Sequence, residues 1–441
     1  MFKALPAFTL ALFIVSNSFS QLSVPLQQLK TYLSKPETNV LNSSDAFFKN
    51  YDYKNKRINY LYPVYMLLMN EEKSKKVYTD AAYYDNASQL ISFTGDYKTA
   101  LELSVKGYDS LSLAARNSIP PYLDSLKNIQ FADAKSFILS ITTGQRVVMI
   151  NEAHNKPLHR AFTASLLTEM YRQGFRYLAM EALGNFPGIP LRDISTEMGH
   201  YLSEPLGAEL ARKAIQLGYT LVPYEDTAAR KHSPTQRDSV QASNIYAVIQ
   251  KDPTAKILVH AGYGHIEENA FNTGYVPMAA AFKKKSGIDP FTIDQTDMTE
   301  GSAFEYGRVF YDAFMERHPL QIASIALQKN KPFKPIENDG FDISVIHPKT
   351  IFSNGRATWY SMYGQRKEVA IKPTEKNLFM VQAYYYDEYS YKKLGSLVPA
   401  DQTYNYGDDG YYYIYLKPGR YKLVMRDMNY EELSTKDLDV Q

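Results

Sequence analysis

Two short segments of this 441-residue chain crowd imidazoles and carboxylates together. One is Asn151-Glu152-Ala153-His154, with His159 and Arg160 behind it. The other is His260-Ala261-Gly262-Tyr263-Gly264-His265, followed by Glu267 and Glu268. Glu181 and the run Tyr224-Glu225-Asp226 stand between them. A histidine beside a carboxylate is a general base near neutral pH and can activate water. Two histidines with carboxylates could also hold a divalent metal that lowers the pKa of a bound water. The sequence has no Gly-x-Ser-x-Gly turn to present a nucleophilic serine, and no cysteine to supply a thiolate or a thiolate-bound metal. These residue types therefore point to direct attack by water rather than to a covalent acyl-enzyme.

The elements that must position these groups follow from periodicity. Arg146 to Ile150 is a short apolar run of the buried-strand kind. Phe175 to Met180, Tyr219 to Val222 and Ile257 to His260 predict three further strands, with Phe291 to Ile293 and Ile343 to Ile346 as weaker fifth and sixth ones. A helix begins near Pro157, turns Leu158, Phe162, Leu166, Leu167 and Met170 inward, and ends at Gly174. Ser233-Pro234-Thr235-Gln236 is a capping box that opens a helix running to about Lys251. Strands separated by helices predict an α/β fold, a parallel sheet flanked by helices. Each of the first four strands then delivers a carboxylate or a histidine at its carboxyl end, the edge where open α/β sheets bind ligands. Four of the eight histidines fall at or just after the ends of the first and fourth strands.

Before this core, residues 21–134 read as a helical N-terminal region, with apolar residues at helical spacing over Leu61 to Met69 and Ala81 to Leu113. The turn at Gly95 to Leu101 resembles one tetratricopeptide unit, but without further copies it predicts an ordinary helical hairpin. Residues 135–350 form the α/β core. Over 351–441 the helical pattern fades, and Glu368 to Ile371, Leu378 to Tyr386, Tyr411 to Leu416 and Arg420 to Met425 predict a C-terminal antiparallel β-sandwich.

Residues 1–20 read as a signal peptide: Lys3, the apolar run Leu5 to Val15, and Ser18-Phe19-Ser20 before Gln21. Export to the periplasm or the medium from a bacterial envelope is the expectation, with no transmembrane segment. A net charge of +2 with no basic stripe argues against nucleic-acid binding. The expected partner is a small-molecule or peptide substrate.

The first segment, Glu152-Ala153-His154 with Asn155, Pro157, His159 and Arg160 behind it, resembles the opening signature of a superfamily. That group includes the erythromycin esterases, the ChaN-type haem-binding lipoproteins and the Tiki/TraB group. Gly262-Tyr263-Gly264-His265 resembles the second signature, Gly-x-x-His. Glu181 falls where the family closes the next strand with a glutamate, and Arg237-Asp238 looks like a pair in the esterase branch. The resemblance covers roughly 140–300. Asn151 stands where the family has a glycine, and a single residue separates Glu152 from His154, closer to the ChaN and Tiki pattern. The resemblance implies a hydrolase acting on an ester, lactone or amide, or a metal-dependent peptidase. Its alternative is a haem- or metal-binding envelope protein without turnover. By position, His154 would be the general base or a metal ligand, Glu152 its partner, Glu181 a second carboxylate and His265 the second essential imidazole. If a metal is present, His154, His265, Glu152 and Glu181 would hold it. Glu225 and His260 are placed by position, and Arg160 would bind a carboxylate or an oxyanion.

The remaining ionisable residues read as structural. His260 is expected to pack within its strand and His159 to lie on an exposed helix face. Arg237 and Asp238 are expected to be solvated in a first turn, and His200, His232, His318 and His347 to be structural or at the surface. The tyrosines of 384–386 and 411–413 read as half-buried strand residues, and Gly407 to Gly410 as a tight turn rather than a calcium loop. A third reading makes the C-terminal β domain the working part of an adhesive envelope protein.

Overall fold

The computed structural model describes residues 42–441 except 53–56, 109–110, 186–190, 303–304, 337–339, 392–395 and 405–409. The signal peptide, its cleavage site and most of the 407–410 turn lie outside the described residues. The core is a six-stranded sheet: β1 Val147–Glu152, β2 Tyr177–Met180, β3 Thr220–Pro223, β4 Ile257–Gly262, β5 Phe291–Asp294 and β6 Ile343–Ser344. Its order is β6-β5-β1-β4-β2-β3, and every pairing is parallel. The fold class is thus α/β, a parallel sheet flanked by helices, with a helical region before it and antiparallel sheets after it.

The apolar runs become strands because both faces of this sheet are covered. Along β1, Val148 and Ile150 turn to one side and pack with the helices Pro157–Arg172 and Pro205–Leu217. Val147 and Met149 turn to the other side, against the helices Pro234–Lys251 and Met278–Ser286. A strand buried on both faces must be apolar at every position rather than at alternate ones. The capping box at Ser233 forms as expected, its hydroxyl accepting from Gln236 N while the Gln236 side chain accepts from Ser233 N.

Over Ala81 to Leu113 the helical hairpin expected around Gly95 forms. It consists of Asp80–Phe93 and Tyr97–Ser104, with Gly95 at φ +86 between them, and a separate helix covers Leu113–Ser125. A strand at Ile129–Asp133 pairs antiparallel with Ser324–Gln328 beside the main sheet.

Among its described residues the C-terminal part holds a short hairpin, Phe352–Ser353 with Arg356–Ala357, and two larger antiparallel sheets. One pairs β7 Lys367–Ile371 with β10 Tyr412–Leu416. The other, ordered β9-β8-β11-β12, contains β8 Met380–Tyr385, β9 Asp401–Tyr404, β11 Gly419–Arg426 and β12 Glu432–Val440. Ile371 and Ile414 of the first pack with Val381, Ala383 and Leu423 of the second in one apolar core, which makes the pair a sandwich. No described helix is long and apolar enough to cross a membrane.

Candidate active site

The strand order decides which side chains meet. β4 inserts between β1 and β2, with Glu152 level with Gly262 and Met180 level with His260. The carboxyl ends of β1, β4, β2 and β3 therefore lie side by side. They carry, in that order, Glu152 and His154, then Gly262 to His265, then Glu181, then Glu225. All six residues expected from the sequence to form the site are brought to this one edge.

Glu152 is the anchor of the first half. It is 3% exposed. Arg160 grips it with both arms of its fork, Nε to Oε2 at 2.7 Å and Nη2 to Oε1 at 2.8 Å. Burial alone would raise the carboxyl pKa, but Arg160, His260 and His154 outweigh it and hold it well below the ordinary value. The ionised carboxylate can only accept, so His154 Nδ1, 3.1 Å from Oε1, carries the proton it donates there. That leaves the Nε2 lone pair free as a base. The imidazole is fixed on three sides: Tyr201 stacks on it at 4.1 Å, Tyr263 meets it edge-on at 5.0 Å, and Gly262 abuts Nε2.

The second half repeats the device with residues far apart in sequence. His265 Nδ1 lies 2.8 Å from Asp238 Oδ2, which also accepts from the Tyr275 hydroxyl and from Met278 N. Between the two imidazoles sits Glu181. Its Oε2 accepts from Gly262 N at 2.6 Å and its Oε1 from Arg237 Nη2 at 2.7 Å. Burial opposes its charge, but His265, Arg237, His154 and the Gly262 amide pull its pKa down to about 2. Arg237 also binds Glu225, Nε to Oε1 at 2.9 Å, and places Nη1 3.2 Å from His265 Nε2. His265 Nε2 has two roles to choose between. Neutral, it accepts from Arg237; protonated, it faces Glu181 Oε1 at 3.6 Å. Burial disfavours the cation, yet Glu181 and Asp238 outweigh burial and raise the His265 pKa above its ordinary value.

Several expectations are corrected. Asp238 is 0% exposed because His265, the Tyr275 hydroxyl and the Met278 amide close over its carboxylate, so it belongs to the site and is not solvated. Arg237 bridges Glu181 and Glu225 rather than pointing to water. His159 is buried, not on an exposed face: its Nδ1 accepts from Ala153 N and its ring stacks on His347. Arg160 is not available for an oxyanion, because Glu152, Glu204 and the His154 carbonyl take its donors. His260 packs as expected, with Nε2 3.6 Å from Glu152 Oε2. Asn151, in place of a glycine, ties the end of β1 to its neighbours through Asp294 and Gln295 N.

Three contributors had no local signal. Asp85, from the helix Asp80–Phe93, bonds the Tyr263 hydroxyl and Asn155 Nδ2 beside His154. Tyr201 comes from a short turn after β2, and Tyr275 from the loop before the next helix. All three arrive by tertiary approach.

The donor set does not suit a metal ion. Among the described residues no group of three or more histidines, aspartates or glutamates could hold one. Arg160 takes both oxygens of Glu152, and Glu181 gives one oxygen to Arg237 and the other to the Gly262 amide, so both carboxylates are already engaged and the two guanidinium charges would repel a cation.

No family model matches the chain, and no curated protein matches it. Two solved structures are weakly similar to it. The type III effector HopBA1 is 14% identical, over 41% of this chain and 89% of its own, with a TM-score of 0.29. The signal recognition particle receptor FtsY from Elizabethkingia anophelis is 11% identical, over 70% of this chain and 92% of its own, with a TM-score of 0.21.

Proposed function

We propose that this chain is an exported hydrolase that cleaves an ester, lactone or amide by direct attack of water, without a metal. One observation carries the reading. Two imidazoles, each with Nδ1 turned onto a carboxylate at 3.1 or 2.8 Å, flank Glu181 at the ligand-binding edge of a parallel sheet. His154 Nε2 takes the proton from water as its oxygen attacks the carbonyl carbon. His265, charged in its Glu181-facing form, returns a proton from Nε2 to the leaving oxygen or nitrogen as the bond to carbon breaks. Glu152 and Asp238 fix the two rings and balance the charge each gains. Within the superfamily whose signatures Glu152-Ala153-His154 and Gly262-Tyr263-Gly264-His265 resemble, the likeness of Arg237-Asp238 to a pair in the esterase branch supports this reaction class. Export rests on residues 1–20 alone.

The test is hydrolysis of a panel of esters, lactones and peptides by the mature protein, followed by acid release. His154→Ala is expected to lower turnover by roughly 10²- to 10⁴-fold with an unchanged circular dichroism spectrum. A parent that hydrolyses none of the panel, or a His154→Ala variant as active as the parent, would overturn the reading.

A further inference from the structure

A cavity of about 540 Å³ lies away from the two histidine pairs, between the first turn of the Pro157–Arg172 helix and the segments 319–323, 347–351 and 358–363. Neither His154 nor His265 lines it, nor does any carboxylate. The volume is that of a small-molecule site.

Its walls are mainly apolar. Leu158 and Met315 are buried in its base, while Ile322, Ile351 and Tyr363 stand at its rim, 55%, 61% and 50% exposed. Soluble proteins seldom leave such a group uncovered without a use for it. The backbone under Tyr363 is also held in an unfavourable form: Met362 and Tyr363 have φ +48 and +59 in succession. A side-chain-bearing residue there costs about 1–2 kcal/mol, and such strain concentrates at binding sites.

The polar groups of the lining narrow the ligand. His347 is 1% exposed, and its Nε2 bonds Gln295 Oε1, which leaves Nδ1 without a partner. Trp359 Nε1 has no partner either. The one charged residue of the lining is Lys349, half-exposed and paired at 2.9 Å with Asp312, which lies outside the cavity. Glu300 and Glu316 also act on Lys349, so a carboxylate at the end of an apolar chain would fill the chamber with its chain and compete with Asp312 for the Lys349 ammonium.

We propose that this cavity is a second binding site, for a single-chain amphiphile with a carboxylate head. The chain packs between Leu158, Met315, Ile351 and Tyr363, and the head sits at Lys349. The proposal stands apart from the hydrolytic reading, because none of the groups assigned to hydrolysis touches the cavity.

Trp359 is the one tryptophan of the chain and lines this cavity, so tryptophan emission reports on its wall. The full-length mature protein is titrated with dodecanoate and with dodecanol, both below micelle formation. Dodecanoate is expected to change Trp359 emission saturably. Lys349→Glu is expected to weaken dodecanoate by about two- to fivefold and leave dodecanol unchanged. Ile351→Asp is expected to abolish both responses. Both substitutions are at exposed positions, and circular dichroism confirms that each variant is folded. A response that never saturates, no response, or a response intact in Ile351→Asp would overturn the site. Equal dodecanoate affinity in Lys349→Glu would overturn the assignment of the head group.

Discussion

His265 Nδ1 lies 2.8 Å from Asp238 Oδ2, although 26 residues, most of a helix and all of β4 separate the two in the chain. The same oxygen takes the Tyr275 hydroxyl at 2.6 Å and the Met278 amide at 3.0 Å, so three donors fix it in place. The His265 imidazole is therefore set by a carboxylate that cannot swing away.

This pair makes stability depend on pH. Burial pushes the His265 pKa down, but Glu181 and Asp238 together hold it above the ordinary 6.5. A histidine with a raised folded pKa stabilises the fold below its unfolded pKa, and that contribution is lost as pH rises through the folded pKa. Asp238→Asn should lower the His265 pKa in an imidazole NMR titration. It should also unfold more readily than the parent below pH 6.5, with the gap narrowing at higher pH.

Gly262 is required by space rather than by backbone conformation. Its φ of −81 suits any residue. A Cβ, however, would stand 2.7 Å from His154 Nε2 and 3.1 Å from Glu181 Oε2. Gly262→Ala should displace the imidazole and cut hydrolysis by roughly 10²-fold, measured beside a far-ultraviolet spectrum that stays the same.

Chelation separates the metal-free site from a metal site. Because arginines occupy Glu152 and Glu181, dialysis against EDTA should change neither turnover nor the thermal midpoint. Arg160→Ala, by contrast, strands the buried Glu152 charge and should cost about 3–5 kcal/mol in urea unfolding.

A further buried charge joins the core to the C-terminal sheets. Glu209, in the Pro205–Leu217 helix, is 0% exposed. It accepts from Arg366 Nη2 at 2.5 Å, Tyr385 Oη at 2.6 Å and Lys417 Nζ at 2.6 Å. Burial would raise its pKa, but the cations Arg366, Lys417 and Arg212 drive it far down. Glu209→Ala should destabilise the protein by about 3–5 kcal/mol, since Arg366 would be left buried and unpaired. Arg420→Ala, which removes a pair half open to water, should move the midpoint of the same urea titration far less than Glu209→Ala.

The six parallel strands were legible because burial on both faces writes itself as unbroken apolar runs. The predicted ends lie within two residues of the observed ones for β1 to β5. Glu152, His154, Glu181, Glu225 and His265 were legible for the same reason, since a strand that ends at a known edge carries its last side chains there. Asp238 was not, because a charged residue in the first turn of a capped helix looks the same whether that turn faces water or a strand. Asp85 and Tyr201 reach His154 from a helix and a turn outside the sheet, and no spacing encodes such an approach. In the C-terminal part β8, β10 and β11 were readable from their apolar content. β9 and β12 were missed: Asp401-Gln402-Thr403-Tyr404 is polar, and Glu432 to Val440 is rich in charged and hydroxyl residues, so both match a surface segment as well as a strand.

That last strand has a consequence for life at high protein concentration. Among the described strands β12 pairs only with β11, so one row of its backbone amides and carbonyls is open to another molecule. Its exposed positions include Glu432, Asp437 and Asp439, with Arg420 and Lys422 bound across to Asp437. A second copy adding its own edge would have to strip water from these charges and bring acidic residues together. The C-terminal sheet thus ends on a border that discourages fibre growth, and this protection comes from the sequence least suited to announce a strand.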